Sequence, residues 1–129
     1  MDQIILVLQG ILAMMMLTTG LLKLAINREQ FKALGKGNLD WADSLTVPQL
    51  KLIGLFEFMI GIGLFLPQLL EIQIWLVPMA AIGTIFTMIG AFILHIKRKD
   101  DFQALATNVA ILLIASFILI SRVDSFSSL

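Results

Sequence analysis

Four long apolar stretches constrain this sequence more than any other feature. They run over residues 3–26, 48–66, 72–96 and 102–120, and each is close to the roughly 20 residues that a helix needs to cross a bilayer core of about 30 Å. Because backbone polar groups in hydrocarbon must find partners within their own segment, each stretch is expected to be an α-helix. The sequence therefore predicts one integral membrane domain over residues 1–129, an all-α antiparallel bundle of four transmembrane helices.

The composition agrees with a chain that lies mostly in lipid. Of its 129 residues, 59% are hydrophobic and 14% are charged, whereas an ordinary soluble domain carries roughly 25% charged residues. A soluble domain of this size could not bury so much apolar surface, so membrane lipid is the expected partner. The formal net charge of zero gives no indication of a nucleic-acid-binding surface. Without cysteine and with a single histidine, the chain is expected to hold no disulfide, thiol relay or metal site.

The basic residues predict the orientation of the bundle. Eight of the nine lysines and arginines lie near the first and third connections, within residues 23–51 and 97–99, and only Arg122 lies on the opposite side. By the positive-inside rule, these two connections are cytoplasmic, while both termini and the turn at 67–71 are extracytoplasmic. Arg122 is then expected to anchor the outer interface. The first stretch lacks a basic leader and a cleavage pattern, so it is interpreted as a retained helix.

The connection over residues 27–47 is longer than the other two. It opens with Asn27 followed by Gln30, a pair that is typical of the capping box at the start of a helix. Its large apolar side chains allow two interpretations, because they can rest on the membrane surface or be scattered along a solvated loop. These residues are Phe31, Leu34, Trp41 and Leu45.

Glu57 is the one charged residue in the apolar stretch "GLFEFMIGIGLFLP" of residues 54–67. It follows Pro48 by nine residues, which places it about 14 Å along the helix, near the bilayer midplane. A carboxylate at that depth costs on the order of 3 kcal/mol, so it is expected to face the bundle interior or a cavity. Gly54 and Gly61 share its helical face, where small residues let a neighbouring helix approach closely.

Each of the other stretches contributes one polar residue to the same half of the bundle. These are Lys23, His95 and Asn108, and together with Glu57 they predict a polar pocket that opens toward the cytoplasm. A stripe of small residues in the third stretch recurs at helical spacings of three and four and is expected to pack around this pocket. It includes Gly83, Thr84, Thr87 and Gly90.

Purely structural interpretations of these polar residues stay open. Lys23 can extend to the interface, His95 can lie among headgroups beside Lys97, and Asn108 can join two helices by a hydrogen bond. Glu57 needs a cation or a proton even in a structural role. Because histidine titrates near neutral pH, a proton path between Glu57 and His95 is a further hypothesis. No familiar catalytic constellation is present, so catalytic residues are unknown and an autonomous enzyme is not indicated.

The order and spacing of five motifs along the four stretches resemble the DoxX-like family of small membrane proteins. The motifs are "TGLLKL" at 19–24, "LIGLFEFMIGIGLFLP" at 52–67, "VPMAAIG" at 77–83, "MIGAFILHIKR" at 88–98, and the asparagine at 108. The resemblance implies a four-helix bundle in a bacterial plasma membrane. It also implies that Lys23, Glu57, His95 and Asn108 are the recurring polar positions of the bundle.

The resemblance implies several functions, because relatives are linked to quinone-dependent thiosulfate oxidation, to redox stress responses and to membrane-protein assembly. The first hypothesis is that the pocket binds a hydrophobic small molecule, a quinone or a lipid, or that the chain is a redox-accessory subunit. The alternative is an assembly factor or interaction subunit that docks on another membrane protein or on copies of itself. A small transporter or oligomeric channel ranks third, because one four-helix unit has little room for a path.

Overall fold

The computed structural model describes residues 2–129 and contains α-helices and 3-10 helices but no strand within that range. The α-helices are α1 (Asp2–Ala25), α2 (Arg28–Gly35), α3 (Val47–Leu70), α4 (Leu76–Arg98) and α5 (Phe102–Arg122), and the 3-10 helices are Asp40–Ser44 and Val123–Ser128. Four of the helices, α1, α3, α4 and α5, are long and apolar enough to cross a membrane. The predicted all-α membrane bundle is therefore confirmed.

The turn between α3 and α4 lies at residues 71–75 and not at the predicted 67–71. Helix α3 continues through Pro67, because a proline removes only its own N–H donor and its carbonyl still accepts. That carbonyl accepts hydrogen bonds from the backbone N–H groups of Glu71 and Ile72. Glu71 adopts a left-handed conformation with φ of 55° and closes the helix. The third predicted apolar stretch thus begins in the turn.

Side-chain caps begin α2, which lies within the first connection, and α3, which follows it. The predicted capping box at Asn27 is present: its side chain accepts from the backbone N–H of Gln30 at 2.8 Å, and the Gln30 side chain accepts in return. Thr46 and Gln49 form the same reciprocal pair at the start of α3. Each box satisfies donors that the first turn of a helix leaves free, and so fixes where the helix begins.

Helices α1 and α3 approach each other until their backbones touch. A Cβ added to Gly20 would lie 2.6 Å from the carbonyl oxygen of Gly54, and one added to Gly54 would lie 2.6 Å from the Cβ of Lys23. Further along the contact, a Cβ on Gly61 would lie 2.6 Å from the Leu17 side chain. In lipid, helices associate through such close packing rather than through burial of apolar surface from water.

The bundle is packed at one end and open at the other. We call the end with the 71–75 turn and Arg122 the termini side, and the end with the 27–46 segment the loop side. On the termini side, α3 and α4 are in contact, since a Cβ on Gly63 would lie 3.2 Å from Ala80. Further along α4, a Cβ on Gly90 would meet no atom within 4 Å. Residues of both helices, Ile53 of α3 and Gly90 of α4 among them, line an open space on the loop side.

A closely packed apolar core fills the termini side of the bundle. Its fully buried members come from all four membrane helices and interdigitate there. They include Leu12, Leu64, Val77, Ala81, Ala115 and Ile118. This core holds the helices in place, while the space between them on the loop side is left for polar groups.

Candidate ligand-binding cavity

A cavity of about 1150 Å³ lies between the four membrane helices on the loop side. Lys23, Glu57, His95 and Asn108, the four polar residues proposed from the sequence, all line it. Apolar side chains complete its walls and include Ile53, Phe56, Phe86, Leu94 and Ile111. Ligand pockets are typically about 300–1,000 Å³, so the space suits a molecule of substantial size.

Lys23 and Glu57 form a buried ion pair at the centre of the cavity wall. The Lys23 ammonium contacts Oε1 of Glu57, and each side chain is only 6% exposed. The Thr19 hydroxyl lies 3.4 Å from the other carboxylate oxygen. Lys23 therefore does not extend to the interface, and each charge offsets the cost of burying the other. Gly54 makes the pairing possible, because the stem of Lys23 crosses α3 directly over it.

Two aromatic rings of the 27–46 segment cover the ammonium of Lys23. Its Nζ lies 5.8 Å from the ring centroid of Phe31 and 5.2 Å from that of Trp41, a distance typical of cation–π contacts. Phe31 is only 3% exposed, whereas Leu34 is 59% exposed. Phe31 is therefore packed inside the protein, and neither the membrane surface nor a solvated loop describes it, whereas both interpretations stay open for the exposed Leu34.

His95 pairs with a carboxylate of the turn that follows its own helix. Nδ1 of His95 lies 2.6 Å from Oδ2 of Asp100, and Nε of Arg98 donates to the same oxygen at 3.1 Å. The hydrogen bond with His95 lowers the pKa of Asp100 below its usual 3.8; burial opposes this shift and the bonds from Arg98 support it. Asp100 is therefore ionised at neutral pH, and it leaves only Nε2 of His95 for another partner.

Arg98 also fastens the 27–46 segment over the mouth of the cavity. Its Nη1 donates to the backbone carbonyl of Asp40 at 3.2 Å and to the hydroxyl of Ser44 at 3.0 Å. The ring of Trp41 meets that of His95 edge-on, with centroids 6.4 Å apart. The segment is thus a folded cover that is attached to α4.

An exposed ion pair joins α2 to the 3-10 helix within this cover. Nζ of Lys32 lies 2.7 Å from Oδ2 of Asp43. Their hydrogen bond raises the pKa of Lys32 and lowers the pKa of Asp43. Because both groups are in contact with water, this pair contributes little to stability.

Asn108 is the cavity-lining residue whose hydrogen bonding is incomplete; Arg28, Gln68 and Arg122, which do not line the cavity, also have a buried polar atom without a partner in the part of the chain that the structure describes. It is 8% exposed and lines the cavity from α5. Among residues 2–129, none accepts a hydrogen bond from its buried Nδ2. The structural interpretation of Asn108 as a helix-joining hydrogen bond is therefore wrong for the described chain. An unsatisfied buried donor costs about 1–3 kcal/mol.

The sequence pattern of the DoxX-like family matches residues 7–118, a range that contains every membrane-helix residue of the cavity wall. The chain belongs to the DoxX-like family. With its four apolar helices, this identifies an integral membrane protein whose helices contact lipid. No curated protein and no solved structure gives a significant match to the chain.

The small residues of α4 divide between two roles in this DoxX-like protein. Thr84 is fully buried, and a Cβ on Gly83 would lie 3.1 Å from Ile60, so both lie at packed positions. Thr87 and Gly90 instead line the cavity. The hydroxyls of Thr84 and Thr87 donate to carbonyls four residues earlier in the helix, which satisfies them internally.

No direct hydrogen bond joins Glu57 to His95 in the described part of this DoxX-like protein. Each has its own partner, Lys23 for Glu57 and Asp100 for His95, and the Trp41 ring lies against both Lys23 and His95. A proton path between them would need a further group and stays a hypothesis. Within residues 2–129, no three acidic or histidine side chains lie close enough to hold a metal ion.

A second polar cluster, which the sequence reasoning missed, lies on the termini side of this DoxX-like protein. Arg122 donates to Oε1 of Gln9 at 2.7 Å and to Asp2 at 2.6 Å, and the Gln9 amide donates to the carbonyl of Leu64 at 2.8 Å. The Arg122 side chain is only 11% exposed and is held by partners within the chain, while its role as an outer interface anchor stays a prediction. Gln9, an amide inside an apolar stretch, was the available signal. The cluster ties α5 to α1.

Proposed function

We propose that this DoxX-like protein binds a hydrophobic small molecule, a quinone or a lipid, in the cavity on the loop side. The main support for this proposal is the cavity of about 1150 Å³, whose lining combines buried polar groups with a long apolar wall. The polar end of such a ligand would meet Asn108 and His95. Its tail would extend along Phe56, Phe86 and Ile111, which a hydrocarbon chain matches.

The pairing of Glu57 favours ligand binding over docking on another membrane protein. An assembly factor that used Glu57 as a docking group would need a cation from its partner. Lys23 of the same chain already supplies that cation, at a buried site where both side chains are 6% exposed. A redox-accessory role would require that a partner exchange electrons with a bound quinone, because the chain has no cysteine to do so.

The two tryptophans of the chain offer a direct test of this function. Trp41 lines the cavity, whereas Trp75 directly precedes α4 on the termini side. In detergent micelles, decylubiquinone should quench the fluorescence of Trp41 saturably in the Trp75→Phe variant, because contact quenching requires a bound quinone. In the matched Trp41→Phe variant, Trp75 should show only weak quenching that rises linearly with quinone concentration.

Equal, unsaturable quenching in both variants would refute quinone binding in the cavity. The same titration with phosphatidylcholine brominated on its acyl chains examines the lipid branch, since bromine quenches tryptophan on contact. Saturable quenching of Trp41 by one probe and not by the other decides between the two ligand classes.

We further propose that both termini lie outside the cytoplasm of a bacterial cell and that the cavity opens toward the cytoplasm. Eight of the nine lysines and arginines lie on the loop side, which supports this orientation. Alkaline phosphatase fused after Leu129 should be active, and green fluorescent protein fused there should stay dark. Fusions placed after Lys99 should give the opposite pattern. A fluorescent fusion after Leu129 would reverse the orientation.

A further inference from the structure

We propose that the cavity selects a ligand whose polar end is an uncharged carbonyl group, and that the Asn108 amide donates the hydrogen bond that this carbonyl oxygen accepts. The inference rests on the proposed function, because it names the ligand class of the same cavity. It depends on two independent observations, the hydrogen bonding of Asn108 and the balance of charge around it.

The first observation is the buried Nδ2 of Asn108. The residue is 8% exposed, lines the cavity, and finds no acceptor for Nδ2 within residues 2–129. A side-chain amide nitrogen carries two donors, and buried donors in folded proteins are nearly always satisfied. A ligand that offers an acceptor oxygen at this point would complete the bonding of Asn108.

The second observation is that two balanced charge pairs line the cavity, one buried and one partly exposed. Lys23 contacts Glu57, and Arg98 contacts Asp100. An anionic headgroup at the depth of Asn108 would have to share an ammonium that Glu57 already holds, because the other lysines of the lining, Lys97 and Lys99, lie exposed at the rim. A cationic headgroup would meet the same obstacle from Lys23. A neutral group disturbs neither pair.

The depth of Asn108 agrees with a membrane-soluble ligand. It follows Phe102, the first residue of α5, by six positions, which places it about 9 Å along the helix. Apolar wall residues lie deeper, at Ile111 on the same helix and at Phe86 on α4. A carbonyl at Asn108 would therefore sit below the cover formed by the 27–46 segment, with its hydrocarbon tail directed toward the bilayer midplane.

Three probes with matched tails separate carbonyl recognition from hydrophobic or anionic binding. They are 2-heptadecanone, hexadecanesulfonate and heptadecane, each titrated against the intact protein and counted by native mass spectrometry from detergent micelles. We expect the ketone to bind about tenfold more tightly than heptadecane, the gain of one well-formed hydrogen bond. The sulfonate should bind more weakly than the ketone. Lys97 and Lys99 are exposed at the rim of the cavity, where an anion can bind to them. The titration with the sulfonate therefore measures how much these two lysines contribute to anion binding.

Replacement of Asn108 by leucine should remove the preference for the ketone. We expect about a tenfold loss of ketone affinity in Asn108→Leu and unchanged heptadecane affinity. Ser116→Ala is the matched control on the same helix, because the Ser116 hydroxyl is bonded to the carbonyl of Leu112 and lies outside the cavity. Infrared spectra of ¹³C-carbonyl ketone should show a lower C=O stretching frequency in the wild type than in Asn108→Leu. Should Asn108→Leu fail to fold, Asn108→Ala carries the same expectation.

The outcomes separate the two proposals. Ketone affinity that does not change in Asn108→Leu, or a sulfonate or heptadecane that binds as tightly as the ketone, would overturn carbonyl selection and leave ligand binding intact. If no probe binds the wild type, both the selection and the proposed function are overturned.

Discussion

Replacement of Lys23 by methionine should lower the free energy of unfolding by about 3–5 kcal/mol, because it leaves the Glu57 carboxylate buried without its partner. Both side chains of the pair are 6% exposed, so water cannot take the place of the ammonium. Methionine keeps the length of the lysine stem, which limits the loss to the charge itself. The measurement is thermal or denaturant unfolding in detergent, followed by circular dichroism.

The double variant Lys23→Met/Glu57→Leu should recover most of that loss, because it buries no charge at all. Lys32→Met is the matched control, since it breaks an exposed ion pair with Asp43 by the same substitution and should change stability little. A double variant that is as unstable as the sum of both single variants would contradict the buried pair. So would equal effects of Lys23→Met and Lys32→Met.

Replacement of Gly20 by alanine should force α1 and α3 apart. The added Cβ would lie 2.6 Å from both the carbonyl oxygen of Gly54 and the backbone nitrogen of Phe58. Backbone atoms cannot rotate away as a flexible side chain can, so the helices must move. We expect a loss of about 1–3 kcal/mol in the free energy of unfolding, the range typical of overpacked sites. The same unfolding measurement in detergent checks it.

Gly90→Ala is the matched control for this contact. A Cβ at Gly90 meets no atom within 4 Å, so the same substitution in α4 should not lower stability. Alanine also favours the helix over glycine, by about 1 kcal/mol in water-exposed helices. If Gly20→Ala were as stable as Gly90→Ala, the close contact of α1 with α3 would be refuted.

The helices could be predicted well because each depends on residues along a single segment. The apolar stretches determine the four membrane helices, and the capping box at Asn27 determines the start of α2. The predicted end of α3 before Pro67 is wrong, because the helix continues through this proline to Leu70. A proline in the last turn of a helix loses only one hydrogen bond, and the backbone continues if its carbonyl is satisfied.

The sequence by itself also determined which polar residues had to face inward, because depth in the bilayer and helical spacing follow from residue order. Only the tertiary structure decided their partners. Lys23 and Glu57 are 34 residues apart in the chain, and Gln9 and Arg122 are 113 apart, so each contact depends on the rotation and spacing of separate helices. The rotation and spacing of the helices depend in turn on how closely small residues such as Gly20 let two backbones approach. The inward turn of Phe31 and the unsatisfied amide of Asn108 arise from the same packing, which no single segment encodes.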